Sequence, residues 1–599
     1  MADPDTVRMR FHRVDIGVAL IYLVIGYVVT SQMWKSPTSL TPAANGTDQT
    51  FFEWMLQHAV RVFTHGENPL FSTQLNAPLG VNLMSNTNML GLAIPFAPLT
   101  AWLGPAPVFV LMIMLGLAGT AFAWYYVLSR HIVHHRLGAF IGAAACGFGP
   151  GIITHANAHP DLTAQFLIPF ILWRALALWK SKRPVADGLI LGLLVSYQVF
   201  LDEELLFLAA FGGTLFVIAY VIFRPRVLRG AAEPVLIGLA TAALLSAVLL
   251  AYPLWFQFKG PQHFSGLPDF LRTYPYELPL SSFKTLPTLS PWGKPDAYPT
   301  GTEQNSFLGW AMLILVAGII ILLWRRRPAV RALAVVGVFF AWASLGDQIH
   351  GNPSPSNPKP KVYPYSLWDH LSHLPLFDSV LAGRLALVVL PVVGVLLAFA
   401  VTDASRALLR MVDQLRLVPA LGMGAALVAI AAACLTVVPI PVPTAARTPV
   451  PMFFASGDWR SYVPAGKSVL SATPYDWIPP MQWSLASGMD FPIAGGYFLG
   501  PATLTGSQKT PVGQFGPQWL TTMIVFGAVG NGSWALPPDA SGYRPEAIAD
   551  MKTWQTSIIV LTPNEPFYQQ SKDAVTRVLG LSGQQVDDVW LWDVRSLTD

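Results

Sequence analysis

The stretch GTEQNSFLGWAMLILVAGIIILLWRRR, Gly301 to Arg327, sets the reading of the whole chain. An acid and two amides (Glu303, Gln304, Asn305) open it, a long apolar run fills it, and Arg325, Arg326 and Arg327 close it. A helix needs about 20 apolar residues to cross the hydrocarbon core of a bilayer, and arginines in a short loop mark the cytoplasmic end of a span. The segment reads as one membrane-spanning helix whose acidic end lies outside the cytoplasm.

The pattern recurs. Apolar runs begin near residues 14, 107, 137, 163, 186, 205, 235, 305, 330, 380 and 418. They predict a mainly α protein, a polytopic membrane helix bundle of about eleven transmembrane helices, over residues 1–440. Basic clusters at Arg8–Arg10, His134–Arg136, Lys180–Arg183, Arg224–Arg229, Arg325–Arg327 and Arg406–Arg416 all fall on the cytoplasmic side of this alternation. The stretch Met89–Leu103, broken by Pro95 and Pro98, does not fit it and reads as a juxtamembrane or re-entrant element; as a twelfth span it would invert the assignments around His131–Arg136. Only 12% of the residues are charged and the mean hydropathy is +0.47, whereas soluble domains carry about 25% charged residues. The net charge of +4 resides in those short loops, which is a topological signal and no sign of a nucleic-acid partner. Cys146 and Cys434 lie inside apolar runs, which excludes a disulfide framework or a CxxC metal site. The first apolar run lacks a small-residue cleavage site and reads as a retained helix.

This topology, in a cell (plasma) membrane, puts the first loop (31–88), the turn His155–Asp161, the turn Asp202–Glu204, the Pro-rich loop 255–305 and the loop 347–379 outside. The tail 441–599 lies there too. Its mixed polar composition and short β-type runs, such as Ser557–Leu561 and Val589–Trp592, read as an extracytoplasmic soluble α/β domain.

Acidic residues converge on that outer face, where ionisable groups close to lipid are functional hypotheses. Asp48 precedes a helix in which Phe52, Met55, Leu56, Ala59 and Phe63 recur at helical spacing, so the helix is expected to lie along the membrane surface; Asp48 or Thr47 would serve equally as its N-cap. Gln49 and Glu53 follow, Glu53 as a solvated residue or the wall of a cleft. His155 and His159 sit at i, i+4, but Pro160 directly after His159 disfavours a shared helix face, so with Asp161 they suit hydrogen bonding to a sugar or phosphate better than metal binding. Asp202, Glu203 and Glu204 form either a hydrated helix end or an acid–base or cation site. Glu303 has the acid-plus-amide surroundings of a carbohydrate pocket. Arg384, inside an apolar run, needs an anionic partner, either a lipid phosphate or one of these acids. Trp255, Phe256, Phe258, Tyr274, Tyr276, Trp292 and Tyr298 suit an interfacial belt or sugar stacking alike.

No Walker A loop is present, which argues against an ATP-driven pump, and no paired broken segments repeat in two halves as in common transporters. The stretches Gly46-Thr47-Asp48-Gln49, Asn68-Pro69-Leu70-Phe71, Asn76 to Leu83, Asp202-Glu203-Glu204 and Gly495-Gly496-Tyr497-Phe498 resemble those of uncharacterised bacterial GT-C membrane glycosyltransferases, which use polyprenyl-phosphate-linked sugars. The resemblance covers most of the chain through short motifs. It implies a membrane glycosyltransferase of cell-envelope assembly that transfers a sugar, with inversion, from a polyprenyl-phosphate-sugar donor to a glycan or lipid acceptor. Asp48 would be the general base; Gln49 stands where many members have a second acid, which leaves Glu53 as the nearest compensating acid and a divalent cation as an open question. Asp161 matches a second family acid by position, and Arg384 is placed to face the phosphate. A polyprenyl-lipid or polysaccharide transporter or flippase, and a non-catalytic assembly protein with the same fold, are the other readings; neither would depend on Asp48.

Overall fold

The computed structural model describes residues 12–228, 232–268, 271, 278–294, 303–351, 361–501, 513–516 and 521–598. Arg8, Arg10, Arg229, Arg272, Tyr274, Tyr276, Tyr298, Gly301 and Thr302 lie outside these. Among the described residues, seven helices are long and apolar enough to cross a membrane: Arg13–Trp34, Pro105–Ile132, Arg136–His155, Glu203–Phe223, Ala232–Lys259, Ala382–Asp413 and Leu417–Leu435. Four more apolar helices are shorter: Leu90–Leu103, Pro184–Val199, Gly309–Leu323 and Pro328–Ala343. The run expected from residue 163 is divided, with helices Pro160–Thr163 and Ile168–Ala177. Proline accounts for such breaks. Pro150, Pro160, Pro169, Pro184 and Pro328 each stand in the first turn of a helix, where the missing N–H costs nothing and the fixed φ favours a new start.

The Pro105–Ile132, Arg136–His155 and Ala382–Asp413 helices are largely buried and form the centre of the bundle, while Ala232–Lys259 and Leu417–Leu435 turn most of their apolar surface outward. Near one end of the bundle a buried Arg130 pairs with Asp15 at 2.7 Å, and Tyr125 donates to the same carboxylate. The expected acids gather at the opposite end.

The C-terminal residues build a four-stranded sheet, ordered Gln584–Val586, Val589–Asp593, Thr556–Leu561, Ser468–Ser471. The last two strands run parallel, with Ile559 opposite Leu470 and Val560 opposite Ser471. Alternation sorts their side chains: Val469, Ile558, Val560 and Leu591 join the main core that extends into the bundle, whereas Leu470, Ile559, Leu561 and Trp592 pack with Met551, Trp554 and Val575 in a second core. The sheet is buried on both faces, which explains why Ser557–Leu561 reads as a continuous apolar run.

The helix Gly46–His65 departs from the surface helix expected for it. Phe52, Met55, Leu56 and Ala59 are buried as anticipated, but so are Phe51, Trp54, Gln49 and Glu53, and Phe63 at the far end is 65% exposed. The tail is the reason. Strand Thr444–Ala446 pairs antiparallel with Leu40–Pro42 just before this helix, and helix Ile478–Ala486 packs against it, so it lies between bundle and tail.

Candidate active site

Three segments position the central carboxylate. The N-cap of Gly46–His65 is Asn45, not Asp48 or Thr47: Asn45 Oδ1 accepts from the Asp48 amide at 3.2 Å, and its Nδ2 donates to the Asp48 carboxylate. Relieved of capping, Asp48 accepts from His159 Nε2 at 3.0 Å and from the Tyr497 hydroxyl. Burial alone would push the Asp48 carboxyl up, but the hydrogen bond and charge of His159, with Asn45 and Tyr497, hold it below its ordinary value. It is therefore ionised at neutral pH.

The chain turns at His155–Asp161 because helix Pro150–His155 ends there and Pro160 begins the next. This fold-back brings the two histidines ring to ring in spite of the proline, and not through a shared helix face. Asn305 Nδ2 donates to Glu303 at 3.0 Å, which turns Asn305 Oδ1 toward His155 Nε2 at 2.8 Å. Both imidazoles thus donate through Nε2, His159 to a carboxylate and His155 to an amide oxygen, and their Nδ1 atoms face each other 3.4 Å apart. Two nitrogen lone pairs so placed repel unless a proton or a metal ion lies between them. The separation exceeds the roughly 2.7–3.2 Å usual for an N–H hydrogen bond. It matches the edge, about 3.3–3.4 Å, of a tetrahedral ion with ligand distances near 2.0–2.1 Å. A Glu303 oxygen and the two ring nitrogens all lie within 4.8 Å of one another. Burial lowers the His159 pKa, but the Asp48 hydrogen bond and the charges of Asp48, Glu303 and Asp161 outweigh it and raise the value.

Arg384 closes the far side. It forks onto Glu303, with Nη2 to Oε1 at 2.5 Å and Nε to both oxygens at 3.0 Å, and its Nη1 reaches Glu204 at 2.6 Å. Of its two anticipated anions, the protein's own acids are the partners formed. Glu303 would be raised by burial, but the Arg384 charge, followed by those of the histidines, drives it well below the usual carboxylate range. Asp161 and Asp202, both buried, are raised: Asp161 by burial against the offsetting charges of His159 and Arg384, Asp202 by burial and then by the charges of Asp161 and Glu204. Asp202 also caps its helix, accepting from the Leu205 amide at 2.6 Å. Asp161 Oδ1 and Glu204 Oε1 accept from no donor among the described residues.

Asp48, His155, His159, Asp161, Asp202, Glu204, Glu303 and Arg384 thus form one connected polar cluster. Three of the anticipated residues stand apart. Glu53 is clamped by Arg447, at 2.5 and 2.7 Å, Gln49 bridges Glu53 and Thr41, and Glu203 binds Gln257 at 2.8 Å. Sequence reasoning passed over Arg447, whose partner is 394 residues away, and Asn45, whose side chain could have been found from the preference of asparagine for N-caps.

No family model matches the chain, and no curated protein matches it in sequence. Among solved structures it is similar to the arabinofuranosyltransferase AftD from Mycobacteria, at 15% identity and a TM-score of 0.56, over 99% of this chain and 40% of that one. It also matches the archaeal oligosaccharyltransferase AglB from Archaeoglobus fulgidus, solved with an inhibitory peptide and a dolichol-phosphate (12% identity, TM-score 0.44, 98% of this chain and 74% of that one). A third match is ArnT from Cupriavidus metallidurans bound to undecaprenyl phosphate (11% identity, TM-score 0.42, 98% of both chains). The first likeness shows the fold: the chain shares the fold of that membrane arabinofuranosyltransferase and spans about two fifths of its length.

Proposed function

We propose that this protein is a glycosyltransferase that moves a sugar, with inversion, from a polyprenyl-phosphate donor to a hydroxyl of a cell-envelope acceptor. The reaction takes place on the non-cytoplasmic face of the plasma membrane, where the acidic cluster and the tail both lie. The observation that carries this reading is the Asp48 carboxylate, held by donors from Asn45, His159 and Tyr497, three separate segments, beside a buried charged cluster. Asp48 takes the proton of the acceptor hydroxyl, and the acceptor oxygen bonds to the anomeric carbon. The bond from that carbon to the phosphate oxygen breaks on the opposite side, and polyprenyl phosphate departs with the electron pair. A base within hydrogen-bond reach contributes about 10²–10⁴-fold to such a step.

Arg384 is already matched by Glu303 and Glu204, so an incoming phosphate needs further positive charge. His155, His159 and Glu303 fit a divalent cation by donor type and spacing, with Asp48 and Asn305 orienting the two rings from behind as outer acceptors do in zinc sites. A cation held there would supply counter-charge for the phosphate. Asp161 and Asp202, in the same cluster, are placed to hydrogen-bond the sugar.

The test is Asp48→Asn in purified protein supplied with membranes containing radiolabelled polyprenyl-phosphate sugars. The expected outcome is loss of transfer by about 10²-fold or more with donor retention unchanged. Full transfer by Asp48→Asn would refute the mechanism, and unchanged export of lipid-linked sugar would favour a transporter.

A further inference from the structure

We propose that the turn Tyr475–Trp477, together with Tyr497, forms a subsite for a carbohydrate acceptor, bringing one of its hydroxyls to Asp48; this rests on the sugar-transfer reading above. The parallel strands Ser468–Ser471 and Thr556–Leu561 end side by side, and their chains leave at Ala472–Trp477 and Thr562–Glu565. The crevice beyond the carboxyl ends of parallel strands is where α/β sheets characteristically take ligands. The Trp477 ring lies 5.4 Å from the Tyr497 ring at 38°, both are half-buried, and the Tyr497 hydroxyl donates to Asp48. The two rings thus stand side by side, with Tyr497 in contact with the base.

The backbone around the rings is built for close approach. A Cβ on Gly496, at φ +123°, would fall 2.8 Å from the Leu75 side chain, and one on Gly516, at φ +72°, would fall 3.3 Å from Trp477 Nε1. Only glycine adopts such backbone freely, so both positions keep the wall in register. The polar groups select the ligand class. Asp476 accepts from the Ile478 amide at 3.3 Å, and Glu565 is held by Thr562 at 3.1 Å and by Thr473. Aromatic faces take the apolar C–H face of a sugar ring while a few placed polar groups fix its orientation. Carboxylates accept from sugar hydroxyls and repel phosphate, so this end of the pocket suits a neutral glycan and not the phosphate of the donor.

The test uses the full chain in lipid nanodiscs with four probes: linear arabinan, mannan, glucan and galactan hexasaccharides, followed by saturation-transfer NMR and tryptophan fluorescence. At least one probe is expected to bind. Trp477→Ala should weaken it tenfold or more, Trp477→Phe less, and Tyr497→Phe, which keeps the ring, by threefold or less. Undecaprenyl phosphate retention by each variant checks that it is folded, and Asp48→Asn should bind the glycan as the natural protein does while failing to transfer. Binding of no probe, or equal binding by Trp477→Ala, overturns the subsite. Trp477-dependent binding without any transfer would sink the enzymatic reading and leave the subsite standing.

Discussion

Removing the Arg447 side chain tests how the tail is fastened to the first loop. Glu53 is 2% exposed and accepts two bonds from Arg447 and one from Gln49, while Arg447 also donates to the Pro37 and Leu40 carbonyls. Arg447→Ala leaves a buried carboxylate with only an amide donor, and breaking a buried pair in this way costs about 3–5 kcal/mol. The loss falls locally on the strand pair Leu40–Pro42 with Thr444–Ala446. At about 1.4 kcal/mol per tenfold, amide exchange in those strands, followed by mass spectrometry in nanodiscs, should accelerate by about 10² to 4 × 10³-fold. Glu53→Ala should act in the same direction, and the double variant Glu53→Met/Arg447→Met should recover most of the loss, because apolar replacement of a buried pair is often neutral. Unchanged exchange in Arg447→Ala, or strict additivity in the double variant, would refute the clamp.

Two further outcomes concern the histidine pair. Purified protein analysed by mass spectrometry for metals should carry about one zinc or manganese per chain, and His155→Ala and His159→Ala should each lose it; a metal-free natural protein at saturating metal would leave a proton as the bridging cation. After chelation, His159 should titrate above its ordinary value near 6.5 in ¹³C-histidine NMR, since its raised value means that its charged form favours the folded state below about that pH and the benefit is lost as pH rises through the folded value. Asp48→Asn should bring that titration down, because burial then acts with less opposition; an unmoved titration would deny the pairing.

Much of the site was legible because desolvation makes charges near lipid costly: Glu303 stands at the opening of an apolar run, Arg384 inside one, and Asp48 just before an amphipathic helix. The apolar runs gave the bundle, but their lengths misled around residue 163, where Pro160 and Pro169 restart the helix. Periodicity placed Phe52, Met55, Leu56 and Ala59 correctly in the interior and missed that the opposite side of the same helix is covered too, since cover from the distant tail leaves no local trace. For the same reason Glu53 read as an acid near the base, when its buried charge is answered by Arg447. The His155–His159 pair was discounted on helical spacing, and it forms through a reversal that spacing alone does not encode.

The strand pair joining residues 40–42 to residues 444–446 has a bearing on biosynthesis. Membrane segments enter the bilayer in the order they are made, and Glu53 meets Arg447 only after 394 further residues have been synthesised, a delay of about 20–80 s at usual translation rates. Until then the helix bearing Asp48 has neither its clamp nor Tyr497. A nascent or prematurely terminated chain would therefore sit in the membrane with the Asp48 cluster incomplete, so this cluster is completed only in the finished protein.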